Sequence, residues 1–113
     1  MKIVTGNISL SELKKMADNS SFYLVKAVVD IEKEILAVDA GLHADVEKLL
    51  LENGSSQENL WGINLFPDKY GRDFVEFDSM INIRPAQGNR SKSVDDQKTR
   101  EKITKIVSRL VTK

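Results

Sequence analysis

The residues best suited to binding an anion lie in one stretch before the last predicted helix. This stretch, 84–93, holds three cations, one glycine and several short side chains that form hydrogen bonds. Arginine suits phosphate because its planar guanidinium group donates two parallel hydrogen bonds, and glycine lets the backbone approach a ligand closely. The predicted anion-binding residues are Arg84, Gln87, Gly88, Asn89, Arg90 and Lys92.

Two features weigh against a phosphate site in this loop. The Gly-x-x-x-x-Gly-Lys-Ser/Thr motif of phosphate-binding loops does not occur in the sequence. Asp95 and Asp96 stand at the predicted start of the last helix, where acids already complement the positive helix end that would otherwise attract an anion. An ordinary solvated loop is therefore the alternative interpretation of 84–93.

General acid–base chemistry in this sequence depends on one histidine and the carboxylates. His43 has a reference pKa near neutrality, which suits a general base, and Glu76 is the second candidate. With Asp45 and Glu47 the histidine forms His-x-Asp-x-Glu, but acids at a helix start more often complement the helix dipole than bind metal. The sequence contains no cysteine. We therefore predict His43 and Glu76 as catalytic candidates, and we expect neither a metal site nor a cofactor.

The elements that must position these side chains follow from caps, hydrophobic periodicity and turn residues. A capping box at Ser9 and Glu12 begins the first helix, and Gly54 ends the second. Pro85 halts the last strand because proline cannot donate a hydrogen bond to a sheet. The predicted helices are 10–18, 44–53 and 95–111, and the predicted strands are 22–31, 35–38, 60–66 and 73–84.

The order of these elements is helix, hairpin, helix, hairpin, helix. It favours an α+β fold in which a four-stranded antiparallel sheet, built from two hairpins, is covered by helices. The chain of 113 residues has the length of one domain. We therefore expect residues 1–113 to form a single α+β domain.

Polar side chains are predicted to share one face of this sheet. Side chains alternate across a strand, so the strand predicted over 73–84 would direct Val75, Phe77, Ile81 and Ile83 towards the helices. Its other face, together with one face of the first strand, is polar. The residues predicted there are Lys26, Asp30, Glu76, Asp78, Asn82 and Arg84. Antiparallel sheets often leave one face wet, so a solvated face is the alternative to a site.

Several segments resemble a known family. They are KAVVDIEK at 26–33, LWGINL at 60–65, EFDSMINIRP at 76–85 and QGNRS at 87–91. Together they resemble a family of short prokaryotic proteins known only as a domain of unknown function. The resemblance covers nearly the whole chain and implies no activity.

The charges are segregated along the chain although the net charge is zero. Residues 84–113 include nine basic and three acidic side chains, whereas residues 1–83 include eight basic and fourteen acidic ones. Such asymmetry indicates an anionic partner or a charged self-association surface. On the predicted last helix, Lys98, Lys102, Lys105 and Arg109 form one stripe. The alternative is that this basic helix docks on the protein's own acidic residues.

These observations favour a non-enzymatic binding module that engages an anionic partner through loop 84–92 and the basic last helix. The partner would be nucleic acid, a phosphorylated ligand or an acidic protein. The alternative is a small metal-independent phosphodiesterase or ribonuclease of toxin-like size. In it, Arg84 and Arg90 would stabilise the charge of the transition state, with His43 or Glu76 as the base. Self-association into a homo-oligomer is a third interpretation.

The location of the protein is predicted from its apolar segments. The first six residues are too short and too polar to form a signal peptide. The longest nearly apolar stretch, 22–29, contains Lys26 and is too short to span a bilayer. We therefore expect a cytoplasmic protein without a membrane partner.

Overall fold

A computed structural model of the chain describes residues 1–20, 22–39 and 41–113. Within these ranges it contains three α-helices and an antiparallel five-stranded sheet, which confirms the predicted α+β class. In chain order the elements are β1 (Lys2–Val4), β2 (Ile8–Ser9), α1 (Leu10–Ala17), β3 (Val25–Asp30), β4 (Ile35–Asp39), α2 (His43–Glu52), β5 (Leu60–Leu65), β6 (Val75–Glu76), α3 (Gln97–Leu110) and β7 (Val111–Thr112).

The main sheet has the strand order β1-β4-β3-β5-β6, and each neighbouring pair is antiparallel. The predicted hairpins supply β3 with β4 and β5 with β6, while β1 adds a fifth strand that the sequence analysis did not predict. A separate parallel pair, β2 with β7, joins the residues before α1 to those after α3. The start of α1 and the end of α3 are therefore held side by side.

The sheet lies between two helical layers. Leu13 of α1 and Ile103 of α3 belong to one buried cluster with Ala27, Ile63 and other residues of the same sheet face. On the opposite face, α2 packs its apolar side onto a smaller cluster. That cluster consists of Val28, Ala37, Val46, Leu50 and Leu60. Because side chains alternate along β3 and β5, each strand contributes to both layers.

The helix boundaries have local chemical causes. The Ser9 hydroxyl accepts a hydrogen bond from the Glu12 backbone N–H at 3.1 Å, as the capping box predicts. Asp96 caps α3 by accepting from the Thr99 N–H at 2.9 Å. Gly54 follows the end of α2 with φ +96°, a conformation that glycine adopts without steric cost. The Ser9 cap and the Gly54 stop were predicted from the sequence, whereas Asp96 was predicted inside the first turn of α3 and is instead its N-cap.

The strand predicted over 73–84 is wrong on both sides of Val75–Glu76, and residues 71–74 before it form a 3₁₀ turn. Only Val75–Glu76 pairs with β5, and residues 80–82 and 85–87 form short 3₁₀ turns. The Ser79 hydroxyl accepts from the Ile81 backbone N–H at 3.3 Å, which favours a turn. Serine and asparagine side chains compete with backbone hydrogen bonding in this way, so an alternating apolar pattern alone did not produce a strand.

Because residues 77–84 do not form a strand, the apolar side chains predicted to share one face point to different parts of the structure. Val75 and Phe77 pack against the cluster beneath α1 and α3. Ile81 instead packs against the cluster beneath α2, and Ile83 is 38 % exposed. The predicted apolar face therefore does not exist, and Asp78 and Asn82 do not belong to a sheet face.

No helix in the described ranges has the length and apolar character needed to cross a membrane.

We expect Ile103→Ala to lower the free energy of unfolding by about 2–5 kcal/mol, because it leaves a cavity in the core. Ile83→Ala is the matched control and should cost well under 1 kcal/mol, since Ile83 is 38 % exposed. Urea unfolding of both variants measures the difference. Equal losses would contradict this assignment of the core.

Candidate functional site

The buried carboxamide of Asn82 takes the place of a neighbouring strand beside β5. Its Oδ1 accepts from the Gly62 backbone N–H at 2.8 Å, and its Nδ2 donates to the Gly62 carbonyl at 2.9 Å and to the Lys92 carbonyl at 2.8 Å. Gly62 is required for this approach, because a Cβ there would lie 2.6 Å from the Ser79 side chain. Asn82, predicted as part of a polar sheet face, is therefore a structural residue.

Asn89 organises the loop that was predicted to bind an anion. It is 3 % exposed, and its Nδ2 donates to the carbonyls of Asn82 at 2.7 Å and Ser93 at 2.8 Å. Its Oδ1 accepts from the Asp95 backbone N–H at 2.8 Å. Both ends of the carboxamide are thus used inside the protein. Asn89 holds the loop in shape and has no polar group directed to a ligand.

The guanidinium group of Arg84 is also held inside the structure. Its terminal nitrogens donate to the carbonyls of Gln57 and Leu60, and the group stacks on the Trp61 ring with 4.2 Å between Cζ and the ring centroid. Burial lowers the pKa of Arg84, while the nearby Glu47 carboxylate acts in the opposite direction. Arg84 therefore joins the loop to β5.

Other predicted loop residues divide into structural and exposed ones. The Gln87 side chain donates to the Glu58 carbonyl at 2.8 Å, and Gly88 forms a turn with φ +83°. Asp95 accepts from the Ser91 hydroxyl and from the Arg90 backbone N–H, and these hydrogen bonds hold its pKa below the usual range. The Asp95 carboxylate thus already binds the loop donors that a bound anion would need. The side chains of Arg90 and Lys92 are exposed.

His43 is the first residue of α2 and is partly buried against β5. Its Nε2 lies 2.7 Å from the Ile63 carbonyl oxygen. A carbonyl oxygen only accepts, so Nε2 carries the hydrogen and Nδ1 is the free acceptor of the neutral ring. Burial lowers the pKa of His43, and Lys26 lowers it further, whereas the Ile63 hydrogen bond and Asp78 oppose the shift.

A row of polar residues crosses the sheet beside His43. The register places Lys26 of β3 opposite Asn64 of β5, and Asn64 opposite Glu76 of β6. Glu76 accepts from Asn64 Nδ2 at 2.8 Å. The two predicted bases, His43 and Glu76, therefore lie at the same end of β5.

Asp30 shares the sheet face of Lys26 but has a structural role. Its buried carboxylate accepts from the backbone N–H groups of Glu32 at 3.0 Å and Lys33 at 2.9 Å, and from the Ser55 hydroxyl at 2.6 Å. These bonds shape the turn between β3 and β4 and tie it to the residues after α2. Three hydrogen bonds compensate for burying the carboxylate.

The structure does not assemble the site predicted for a ribonuclease. His43 contacts the carbonyl of Ile63, whereas Arg84 donates to the carbonyl of Leu60. Leu60 and Ile63 are three positions apart, about 10 Å along the strand, and both terminal nitrogens of Arg84 already donate to backbone carbonyls. Among the described residues, no group of three or more histidine, aspartate and glutamate side chains is placed to hold a metal ion.

The outer surface of α3 is basic. We define the basic face of α3 as Lys98, Lys102 and Lys105, which are exposed and form no ion pair with a carboxylate in the described ranges. Arg109 continues the stripe but pairs with Glu34, donating to its carbonyl at 2.9 Å and lying 3.5 Å from its carboxylate. Within the described ranges, Arg109 is thus the residue of the stripe that pairs with an acid of the protein itself.

A groove that the sequence analysis did not predict runs between α3 and residues 69–77. It consists of two adjoining hollows of about 440 and 670 Å³, which share Gly71, Val75 and Thr104. Tyr70 lines the first hollow and Arg72 the second. The sequence signal is an aromatic residue between two nearby cations, KYGR at 69–72.

Comparison with protein-family models matches residues 2–110 to the family described as a protein of unknown function, DUF5674. The match covers almost all of the chain, so the protein belongs to this family. Comparison with curated proteins gives no match, and comparison with solved structures gives none. The function must therefore be inferred from the site itself.

We expect Asn82→Ala to lower the free energy of unfolding by about 3 kcal/mol, because it removes the partner of both the N–H and the carbonyl of Gly62 in the interior. Asn82→Asp should also destabilise, since it replaces the Nδ2 donor with a carboxylate oxygen that faces the carbonyls of Gly62 and Lys92. Asn7→Ala, at an exposed asparagine, should change stability by less than about 0.5 kcal/mol. Urea unfolding at neutral pH provides the comparison, and stable Asn82 variants would refute the role assigned to this carboxamide.

The lowered pKa of His43 should make stability depend on pH. The unfolded chain takes up a proton near the ordinary value of 6.5, whereas the folded protein takes it up only at lower pH. Stability is therefore complete above about pH 6.5 and falls as the pH drops towards the folded pKa. His43→Gln should flatten this part of the profile.

The measurement is urea unfolding of both proteins at about pH 7.5 and 5.5, above the range in which most carboxylates titrate. No other histidine contributes, because His43 is the only one in the sequence. The same loss of stability in the wild-type protein and His43→Gln would show that His43 is not responsible.

Proposed function

We propose that this protein binds nucleic acid through the basic face of α3, with Arg90 and Lys92 contributing from the loop before the helix. The observation that carries the proposal is the row of exposed lysines, none of which forms an ion pair with a described carboxylate. Phosphate contacts supply most of the affinity of non-specific nucleic-acid binding. The cytoplasmic location expected from the sequence belongs to the same proposal.

The linear spacing of these charges favours a polymer over a small phosphate. Lys98, Lys102 and Lys105 recur at intervals of four and three residues, so they are spaced by about 4.5–6 Å along the helix axis. A small phosphate needs donors that converge on one point, as in phosphate-binding loops. Cations in a row instead match the repeated charges of a nucleic-acid backbone.

Most polar side chains of loop 84–92 are used within the protein, so the proposal assigns the main role to α3. Arg84, Gln87 and Asn89 donate to groups of the protein itself, and Asp96 caps the first turn of α3. The loop thus serves chiefly to fix the start of α3, while its exposed cations extend the basic surface. A negatively charged cap near Lys98 reduces the local charge but leaves Lys102 and Lys105 beyond the first turn.

We expect the triple variant Lys98→Gln/Lys102→Gln/Lys105→Gln to bind RNA more weakly than the wild-type protein at low salt. Each lost phosphate contact should reduce the slope of log affinity against log salt concentration by about 0.7–0.9. Its melting temperature should stay unchanged, since these lysines form no ion pair with a described carboxylate. A filter-binding salt titration beside a thermal melt measures both quantities.

The matched control is Lys14→Gln/Lys15→Gln/Lys48→Gln, which removes the same charge from exposed lysines of α1 and α2. It should retain the wild-type salt slope. Equal losses in both triple variants would indicate unspecific attraction and would refute the assignment to α3. A concentration-dependent sedimentation coefficient, without RNA binding at low salt, would indicate self-association instead.

A further inference from the structure

We propose that the groove between α3 and residues 69–77 holds a single strand of nucleic acid, with Tyr70 as the platform on which a base stacks. This inference rests on the proposed function and names its substrate class. The groove adjoins the basic face of α3, because Lys105 lines one of its hollows. A strand in the groove would thus continue onto the lysines already described.

The charge of the groove complements a nucleic-acid backbone. Five cations line the two hollows, whereas Glu101 is the one acid that lines them within the described ranges. The lining cations are Lys69, Arg72, Arg100, Lys105 and Lys113. Low-dielectric walls beside charges of one sign concentrate the field, which raises the local concentration of an anionic ligand.

The cations of the groove are of two kinds: those held by hydrogen bonds within the protein, and those whose charge is available to a phosphate. Arg100 donates to the Val94 carbonyl and to the Ser93 hydroxyl, and its guanidinium group lies 5.3 Å from the Phe77 ring centroid. It therefore fixes one wall. Arg72 and Lys105 are exposed and form no ion pair with a described carboxylate, so their charges face the groove without a competing partner.

Tyr70 has the properties of a stacking platform. It is 86 % exposed, so its ring contributes little to the core. The Tyr70 carbonyl accepts from the Asp73 N–H at 3.2 Å, and Gly71 follows with φ +58°, so the backbone that carries the ring is ordered by a tight turn. Stacking on an aromatic ring beside cations is how proteins bind single strands without sequence preference.

The dimensions of the groove favour a single strand over a duplex. Each hollow falls within the roughly 300–1,000 Å³ range of sites that hold one drug-sized molecule, which is about the size of a nucleotide. In a duplex the bases are stacked on one another and paired, so their faces cannot reach a side chain outside the helix. Only an unpaired base offers its face to Tyr70.

The test compares Tyr70→Ala with the wild-type protein by fluorescence anisotropy, using labelled mixed-sequence RNA and DNA single strands of about 15 nucleotides. Tyr70→Ala should weaken single-strand binding roughly tenfold, within the range of a lost base–aromatic stack. Binding to a duplex of the same sequence should not change. Tyr70→Phe keeps the ring and should bind like the wild-type protein.

Phe22→Ala is the matched control, because Phe22 is 80 % exposed and does not line either hollow. It should bind both probes like the wild-type protein. If Tyr70→Ala binds single strands normally while the lysine variant of α3 binds them weakly, the proposed function stands and the single-strand inference is wrong. If the wild-type protein binds no nucleic acid at low salt, both are wrong. Equally tight binding of poly-glutamate would identify an acidic protein as the partner and overturn the inference.

Discussion

The fold around β5 depends on a side chain that hydrogen-bonds as a backbone would. The Asn82 carboxamide pairs with both polar groups of Gly62, where no neighbouring strand continues beyond the two residues of β6. Without it, a buried N–H and a buried carbonyl would lose their partners. Asn82 also bonds to the Lys92 carbonyl, and Asn89 bonds to the Asn82 carbonyl. The network thus leads from the sheet edge to the residues that begin α3.

This network explains why the loop before α3 is rich in residues that bind anions elsewhere. Arginine, glycine and asparagine serve phosphate sites because they donate in several directions or permit close approach. The same properties let a loop without regular structure satisfy its own backbone. Arg84 is engaged with carbonyl groups, and Asn89 with three carbonyls and an N–H. The composition therefore does not distinguish the two roles, and only the directions of the donors separate them.

The parts of the fold that could be predicted from the sequence are those set by local rules. The Ser9 cap, the periodicity of α3 and the hairpin of β3 and β4 depend on neighbouring residues, and all three are present. The segment 77–84 has an alternating pattern typical of a strand, yet its conformation depends on Gly62, which is distant in sequence. Tyr70 lines the groove together with Thr104 and Ser108 of α3, and no local pattern specifies that these two segments form one hollow. Contacts between residues distant in sequence, which the sequence pattern does not specify, thus determine the parts of the fold that were not predicted.

The parallel pairing of β2 with β7 has a consequence for the order of folding. Ile8 pairs with Val111, so the contact closes a loop that contains nearly the whole chain. Loop closure costs entropy that grows with loop length, and contacts between distant residues slow folding. β2 and β7 contribute only two residues each, so their pairing cannot offset this entropy loss until α3 has docked on the sheet. The pairing of β2 with β7 should therefore form late in folding and be the first to open. Hydrogen exchange should then detect local unfolding first at the C-terminal turn of α3.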